Sequence, residues 1–116
     1  MFRALNVAAT GMVAQETNLD AIANNLANAN TVGYKRQEAQ FEDLYYQNVR
    51  VPAAGQNGAV NPSGLQIGTG ARVVATARFF TQGTLTQTGN PLDVAIEGRG
   101  FLAVARPAGD VAYTRT

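Results

Sequence analysis

The sequence predicts an α+β fold: one long N-terminal helix, then an extended linker, then a small antiparallel β domain. Three observations support this prediction. Apolar residues recur at intervals of seven through the first thirty residues, residues 51–64 are rich in Gly, Pro and Asn without any charge, and residues 71–80 alternate with a period of two. We therefore expect three parts, which are a helix over residues 1–32, a connector and linker over 33–64, and a β domain over 65–116.

The helix predicted over residues 1–30 carries one continuous apolar stripe. Its large members are Leu5, Met12, Leu19, Ile22 and Leu26. Between residues 4 and 34 the only charges are Glu16 and Asp20, which stand one helical turn apart as a like-charge pair. A helix exposed to water on its other faces normally carries more charge than this, so the pattern favours burial against other helices.

Intrinsic propensity argues against the same helix. Five asparagines and Gly11 lower its stability by ~4 kcal/mol relative to alanine, so packing must supply the difference. We therefore expect a segment that is marginal alone and ordered by association. The alternative, an ordinary helix of the chain's own core, remains open on composition.

The connector after the helix begins at Gly33, which suits the left-handed position that closes a helix. Over residues 34–50 we expect an extended lead followed by a short helical turn. Lys35 and Arg36 are either a docking contact for a neighbouring acidic surface or a solvated cluster. Residues 51–64 are long for a connection inside a compact domain, and such connections are usually functional or disordered.

The β domain is predicted from short apolar runs separated by Gly and Pro. We expect strands over residues 71–80, 84–88, 92–97, 101–106 and 111–115, arranged as a small antiparallel sheet or barrel. The chain ends inside the last of these strands, from which we expect a longer native chain.

Composition narrows the function. The chain has no cysteine and no histidine, which removes disulfides, imidazole catalysis and nearly every zinc arrangement. With a net charge of +1 and 15% charged residues it has no basic field for nucleic acid. Neither Gly-x-Gly pair opens a helix after a strand, and the one serine has no histidine to activate it. We expect no enzyme, cofactor, metal or small-molecule substrate.

Targeting signals are equally sparse. No window is apolar enough to span a membrane, and no cleavage site follows an apolar run near the N-terminus. We therefore expect the N-terminal helix to be retained. On these signals alone the chain resembles a cytoplasmic protein, although an export route that leaves the N-terminus uncleaved would not be visible to them.

Two motifs resemble one known family. The sequence ANNLAN at residues 23–28, followed by TVGYKR at 31–36, resembles the N-terminal motif of bacterial flagellar rod and hook proteins. QGTL at 82–85 and TGNPLDVAIEGRGFL at 88–102 resemble a second motif of that family. FEDLYYQ at 41–47 and PSGLQIGTG at 62–70 are most similar to its distal-rod members.

The resemblance implies a structural role in the flagellar basal body. Such proteins are exported through the flagellar type III apparatus without cleavage and stack helically into a hollow tube in the periplasmic space, which carries motor torque to the hook. Their N-terminal helix packs with a C-terminal helix of the same chain, and the β domain lies outside. The linker corresponding to residues 46–64 is implied to make the distal rod straight and rigid. Implied partners are other copies, other rod proteins, the hook protein and the surrounding ring proteins.

On this basis we expect the first helix to be disordered or packed on a neighbouring copy, rather than on the chain's own sheet. Asn24, Asn25 and Asn28 are predicted to hydrogen-bond between neighbouring helices. The whole predicted interface comprises Leu5, Met12, Leu19, Ile22, Asn24, Asn25, Leu26, Asn28, Tyr34, Lys35 and Arg36. The alternatives are a proximal rod or hook protein, or, in another class, a secreted β-domain that binds a carbohydrate or protein and uses the helix as a stalk.

Overall fold

The computed structural model describes residues 1–54, 60–61 and 63–115 and confirms an α+β fold. The helix α1 spans Phe2–Ala27. The strands that follow are β1 (Gln37–Asp43), β2 (Tyr46–Arg50), β3 (Ala53–Ala54), β4 (Val60–Asn61), β5 (Leu65–Gly68), β6 (Ala71–Arg78), β7 (Leu102–Ala105) and β8 (Val111–Thr114).

Three successive antiparallel pairs form a long two-stranded ribbon. β1 pairs with β6, β2 with β5 and β3 with β4, so the chain runs out along one side of the ribbon and returns along the other. The molecule is 83 Å long and has a radius of gyration of 24.3 Å. A compact domain of this length has a radius of gyration of roughly 13 Å, so the chain is strongly elongated.

The short helical turn predicted within residues 34–50 is wrong, because this segment forms the strands β1 and β2. A two-residue link separates β1 from β2, and within it the Leu44 N–H donates to the Gly70 carbonyl at 2.9 Å. Phe41 lies opposite Val73 and Tyr46 opposite Gly68, so both aromatic residues sit in the pairing register of the ribbon. Cross-strand partners therefore outweigh the local helical spacing. The linker predicted over 51–64 contains β3 and β4, and its residues 55–59 and 62 lie outside the described part of the chain.

A separate hairpin, β7 with β8, follows the ribbon. Its turn is closed by the Arg106 N–H, which donates to the Asp110 carbonyl at 2.8 Å, and by Gly109 at φ 82°. The strands predicted over 101–106 and 111–115 are confirmed within one or two residues.

The strands predicted over 84–88 and 92–97 are wrong, because residues 79–101 form no strand. No neighbouring backbone pairs with this segment in a ladder. Phe80 and Phe101 bring its two ends together in an edge-to-face contact, with ring centroids 5.1 Å apart. Among the described residues, the strands therefore lie in two-stranded pairs and do not close into a barrel.

The expectation that α1 would be disordered or would avoid the chain's own strands is also wrong. The helix is ordered and packs on β1 and β6, where Ala14 and Ala39, each 5% exposed, are the buried apolar side chains among the described residues. The physical reason is a face of small side chains that lets the helix approach the ribbon closely. At Gly70 the approach is so close that a Cβ atom would overlap Thr10 Oγ1.

Candidate assembly interface

The predicted apolar stripe of α1 faces away from the ribbon. Its five large side chains are between 53% and 76% exposed, and this set consists of Leu5, Met12, Leu19, Ile22 and Leu26. At 100° per residue, the centre of the stripe lies about 150° around the helix from the residues that contact the ribbon. The described residues therefore leave the stripe open to a partner surface.

The opposite side of α1, here called the ribbon face, is made of small and polar residues. It comprises Val7, Thr10, Ala14, Thr17, Ala21 and Asn25, all buried or half-buried. Thr10 and Thr17 turn their hydroxyls back to the helix, donating to the carbonyls of Val7 at 2.8 Å and Val13 at 3.1 Å. The two threonines thereby satisfy their polar atoms locally.

Asn25 locks the end of the helix to β1. Its Nδ2 donates to the Gln37 carbonyl at 2.7 Å, and its Oδ1 accepts from the Gln37 N–H at 2.9 Å. Tyr34 donates its hydroxyl to the same Oδ1 at 2.8 Å and, at 2.9 Å, to Asn24 Oδ1. The side-chain amide of Asn25 therefore pairs with both the N–H and the carbonyl of Gln37, as the backbone of a neighbouring strand would.

Asn28 is the C-cap residue of α1. Its Nδ2 donates to the Asn24 carbonyl at 2.9 Å, and its Oδ1 accepts from the Thr31 hydroxyl at 3.1 Å. Gly33 then takes the predicted left-handed conformation, at φ 73°. These partners lie within the chain, and the hydrogen bonds predicted between neighbouring helices stay a prediction.

Lys35 and Arg36 lie where the connector crosses the end of β6. Lys35 Nζ donates to the Thr81 carbonyl at 2.9 Å, and the Arg36 guanidinium carbon lies 4.6 Å from the centroid of the Phe79 ring. Together with Asn25 they line a shallow groove of about 300 Å³. The structure thus brings the polar half of the predicted interface, Asn25 to Arg36, to one end of the helix, beside β1 and β6.

Two positions important to the geometry were missed by the sequence analysis. Gly70, at φ 125°, allows the close approach of Thr10, whereas the sequence analysis treated it only as part of a Gly-x-Gly pair and of a family motif. Arg115 donates to the carbonyls of Gly98 and Gly100, the latter at 3.0 Å, and to Gln82 Oε1 at 2.9 Å. Nothing in the local pattern of the sequence links Arg115 to residues 82–100.

The described residues hold no group of three or more acidic side chains arranged to bind a metal. Within the same ranges, α1 is too polar to qualify as a membrane-crossing helix. The ion pair found there, Arg72 with Glu42 at 2.8 Å across the ribbon, is solvent-exposed.

The geometry is that of an elongated α+β chain whose one long helix is only half covered. Residues 5–35 match the family model of the flagella basal body rod protein. The chain is 45% identical to the flagellar basal-body rod protein FlgG of Caulobacter vibrioides over 115 residues, which are 97% of this chain and 44% of that protein. It is 50% identical to the FlgG of Buchnera aphidicola from Acyrthosiphon pisum, over 99% of this chain and 45% of that protein.

The flagellar hook protein FlgE of Escherichia coli is more distant. The two are 37% identical over 112 residues, which are 97% of this chain and 24% of the hook protein. The chain is thus similar to flagellar basal-body rod proteins over nearly its whole length, and it spans less than half the length of the rod proteins it matches.

Proposed function

We propose that this chain is part of a structural subunit of the flagellar distal rod, which assembles helically into a hollow tube and transmits motor torque from the basal body to the hook. The observation that carries the proposal is the amount of surface left uncovered. The chain exposes 9843 Å². A folded monomer of 12.2 kDa exposes roughly 6,100 Å², so about 3,700 Å² is in excess.

The apolar stripe of α1 is one part of this excess whose burial would give a free-energy gain on assembly. Complete burial of one large aliphatic side chain stabilises by roughly 1.5–3 kcal/mol, and the stripe residues have more than half of that burial still to gain. The stripe contains no charge, so a partner helix can cover it without leaving a buried ion unpaired, which would cost several kcal/mol. We assign the covering surface to other helices of the rod.

The ribbon is the feature that favours the distal rod over the hook. It carries the segments most similar to the distal-rod members, and FlgG proteins match the chain at higher identity than hook proteins do. In the proposed assembly the ribbon lies along neighbouring subunits and stiffens the tube. The proposed partners are other copies, other rod proteins, the hook protein and the ring proteins around the rod. The proposed location is the periplasmic part of the basal body, reached by type III export without cleavage.

The test compares two substitutions to aspartate. Leu19→Asp places a charge in the middle of the stripe, whereas Leu92→Asp places one on the loop of residues 79–101, where Leu92 is 86% exposed. Both proteins are followed by sedimentation velocity over a concentration series, with electron microscopy of the assembled material.

We expect the unmodified chain and the Leu92→Asp variant to associate with increasing concentration. The Leu19→Asp variant should need at least tenfold more protein, because its carboxylate must be desolvated at the interface. Equal association of the two variants would contradict the role of the stripe. A chain that stays monomeric throughout the series would contradict the proposed self-assembly.

A further inference from the structure

The groove at the C-terminal end of α1 carries two cations without a carboxylate partner among the described residues. Lys35 uses one of its three ammonium donors on the Thr81 carbonyl, which leaves two. The Arg36 guanidinium lies over the Phe79 ring, and no described carboxylate lies within ion-pair distance of it. Both charges are fixed in position by these contacts, so little side-chain entropy would be lost when an anion binds.

Elsewhere on the same helix, Glu16 and Asp20 form an exposed acidic pair. They stand one turn apart, and the described residues supply no cation within ion-pair distance of either. Like charges at this spacing destabilise a helix unless a cation from elsewhere meets them. At 100° per residue, the pair lies about 85° around the helix from the centre of the apolar stripe, so one partner surface can cover stripe and acidic pair together.

We propose that the groove around Lys35 and Arg36 receives the Glu16–Asp20 face of α1 from a second copy of the chain. The inference rests on the proposed function, because it requires assembly of copies through their helices. It is carried by charge complementarity: the groove presents two cations and the Glu16–Asp20 face two carboxylates, and none of the four forms an ion pair among the described residues. The polar lining that includes Asn25 and Tyr34 adds hydrogen-bonding atoms at the rim of the groove.

The geometry of this contact has a consequence for the assembly. The acidic pair is centred near residue 18 and the groove lies beside residues 25–28, which are separated by roughly 13 Å along the helix at 1.5 Å per residue. Two copies with parallel helices would therefore be displaced along the axis. In this parallel arrangement the contact is heterologous, and it repeats from copy to copy instead of closing as a symmetric dimer.

The experiment is an exchange of charges on the full chain. One variant carries Lys35→Glu and Arg36→Glu, a second carries Glu16→Lys and Asp20→Lys, and a third carries all four substitutions. Association is measured by sedimentation velocity at low and at physiological salt, and helix content by circular dichroism. We expect each double variant to associate at least tenfold more weakly than the unmodified chain, and the fourfold variant to recover most of the loss.

A matched control reverses Arg99 and Arg106, two exposed cations away from the groove, and changes the net charge by the same amount as the reversal of the groove. This control should associate as the unmodified chain does. The Arg36 substitution also removes the contact with Phe79. The variant with Glu16→Lys and Asp20→Lys therefore tests the same interface while leaving the groove unchanged.

Three outcomes decide the matter. Loss in both double variants with recovery in the fourfold variant supports the contact. Unchanged association in the acidic variant, or loss without recovery in the fourfold variant, overturns the contact while leaving the rod proposal in place. An unmodified chain that stays monomeric overturns both.

Discussion

Replacing Gly70 by alanine tests whether the contact between α1 and the ribbon sets their spacing. At φ 125° an alanine backbone is strained, and such conformations cost about 1–3 kcal/mol. The added Cβ would also overlap Thr10 Oγ1 and lie 3.2 Å from Thr10 Cβ. Turning the hydroxyl away breaks its 2.8 Å bond to the Val7 carbonyl, which is worth about 1 kcal/mol. We expect a total loss of about 3 kcal/mol.

Urea unfolding followed by the helical circular dichroism signal measures this loss, and two matched glycines separate its parts. Gly109→Ala, at φ 82° with open space around its Cβ position, carries the backbone strain alone. Gly83→Ala has neither the strained φ nor a close neighbour, and should change stability least. In a Thr10→Ala background, the cost of Gly70→Ala should fall by about 1 kcal/mol, since the overlapping hydroxyl is gone. A Gly70→Ala cost no larger than that of Gly109→Ala would refute the spacing argument.

Three further substitutions test the other contacts. Asn25→Asp removes the donor to the Gln37 carbonyl and turns a carboxylate toward it, so amide exchange at the start of β1 should accelerate at least tenfold. Arg72→Ala should cost less than about 1 kcal/mol in urea unfolding, because its pair with Glu42 is exposed. Arg115→Lys cannot keep all the hydrogen bonds to the loop, so limited proteolysis should cut residues 82–100 faster. Three results would contradict the corresponding contacts. They are unchanged amide exchange in Asn25→Asp, a loss of unfolding free energy well above about 1 kcal/mol in Arg72→Ala, and unchanged cleavage of residues 82–100 in Arg115→Lys.

The helix illustrates how far local pattern predicts structure. A period of 3.6 located α1, because it depends on a few consecutive residues. The end was predicted too late: the helix ends at Ala27 with Asn28 as its C-cap, and Gly33, predicted to close it, takes its left-handed conformation in a later turn. Which side of the helix meets the ribbon did not follow from the pattern. The large residues indicated a buried face, but the chain packs its small face on β1 and β6 and leaves the large one outside. Sequence periodicity identifies an apolar stripe without identifying the surface that covers it.

The β region shows the complementary limit. Alternation located β6, and glycine and proline located the turn between β7 and β8, since both depend on residues close in sequence. The same kind of pattern over 92–97 predicted a strand that the structure does not contain. A strand needs a partner backbone, and the position of that partner is a long-range property. Asn25 is a related case: its role at Gln37 depends on a fold that brings residues twelve apart into register.

The two faces of α1 have different roles. The ribbon face fixes the orientation of the helix on the strands, and the apolar stripe is available for association with a partner. On the ribbon face, Asn25 and the contact of Thr10 with Gly70 fix how the helix lies on the strands, but with Ala14 and Ala39 as the buried side chains they contribute little hydrophobic free energy. The apolar stripe holds most of that free energy and realises it only when covered. About 3,700 Å² of excess surface compares with roughly 800 Å² buried per partner in a standard interface, enough for four contacts. Substitutions on the ribbon face should therefore change the geometry of an assembly, and substitutions in the stripe its concentration dependence.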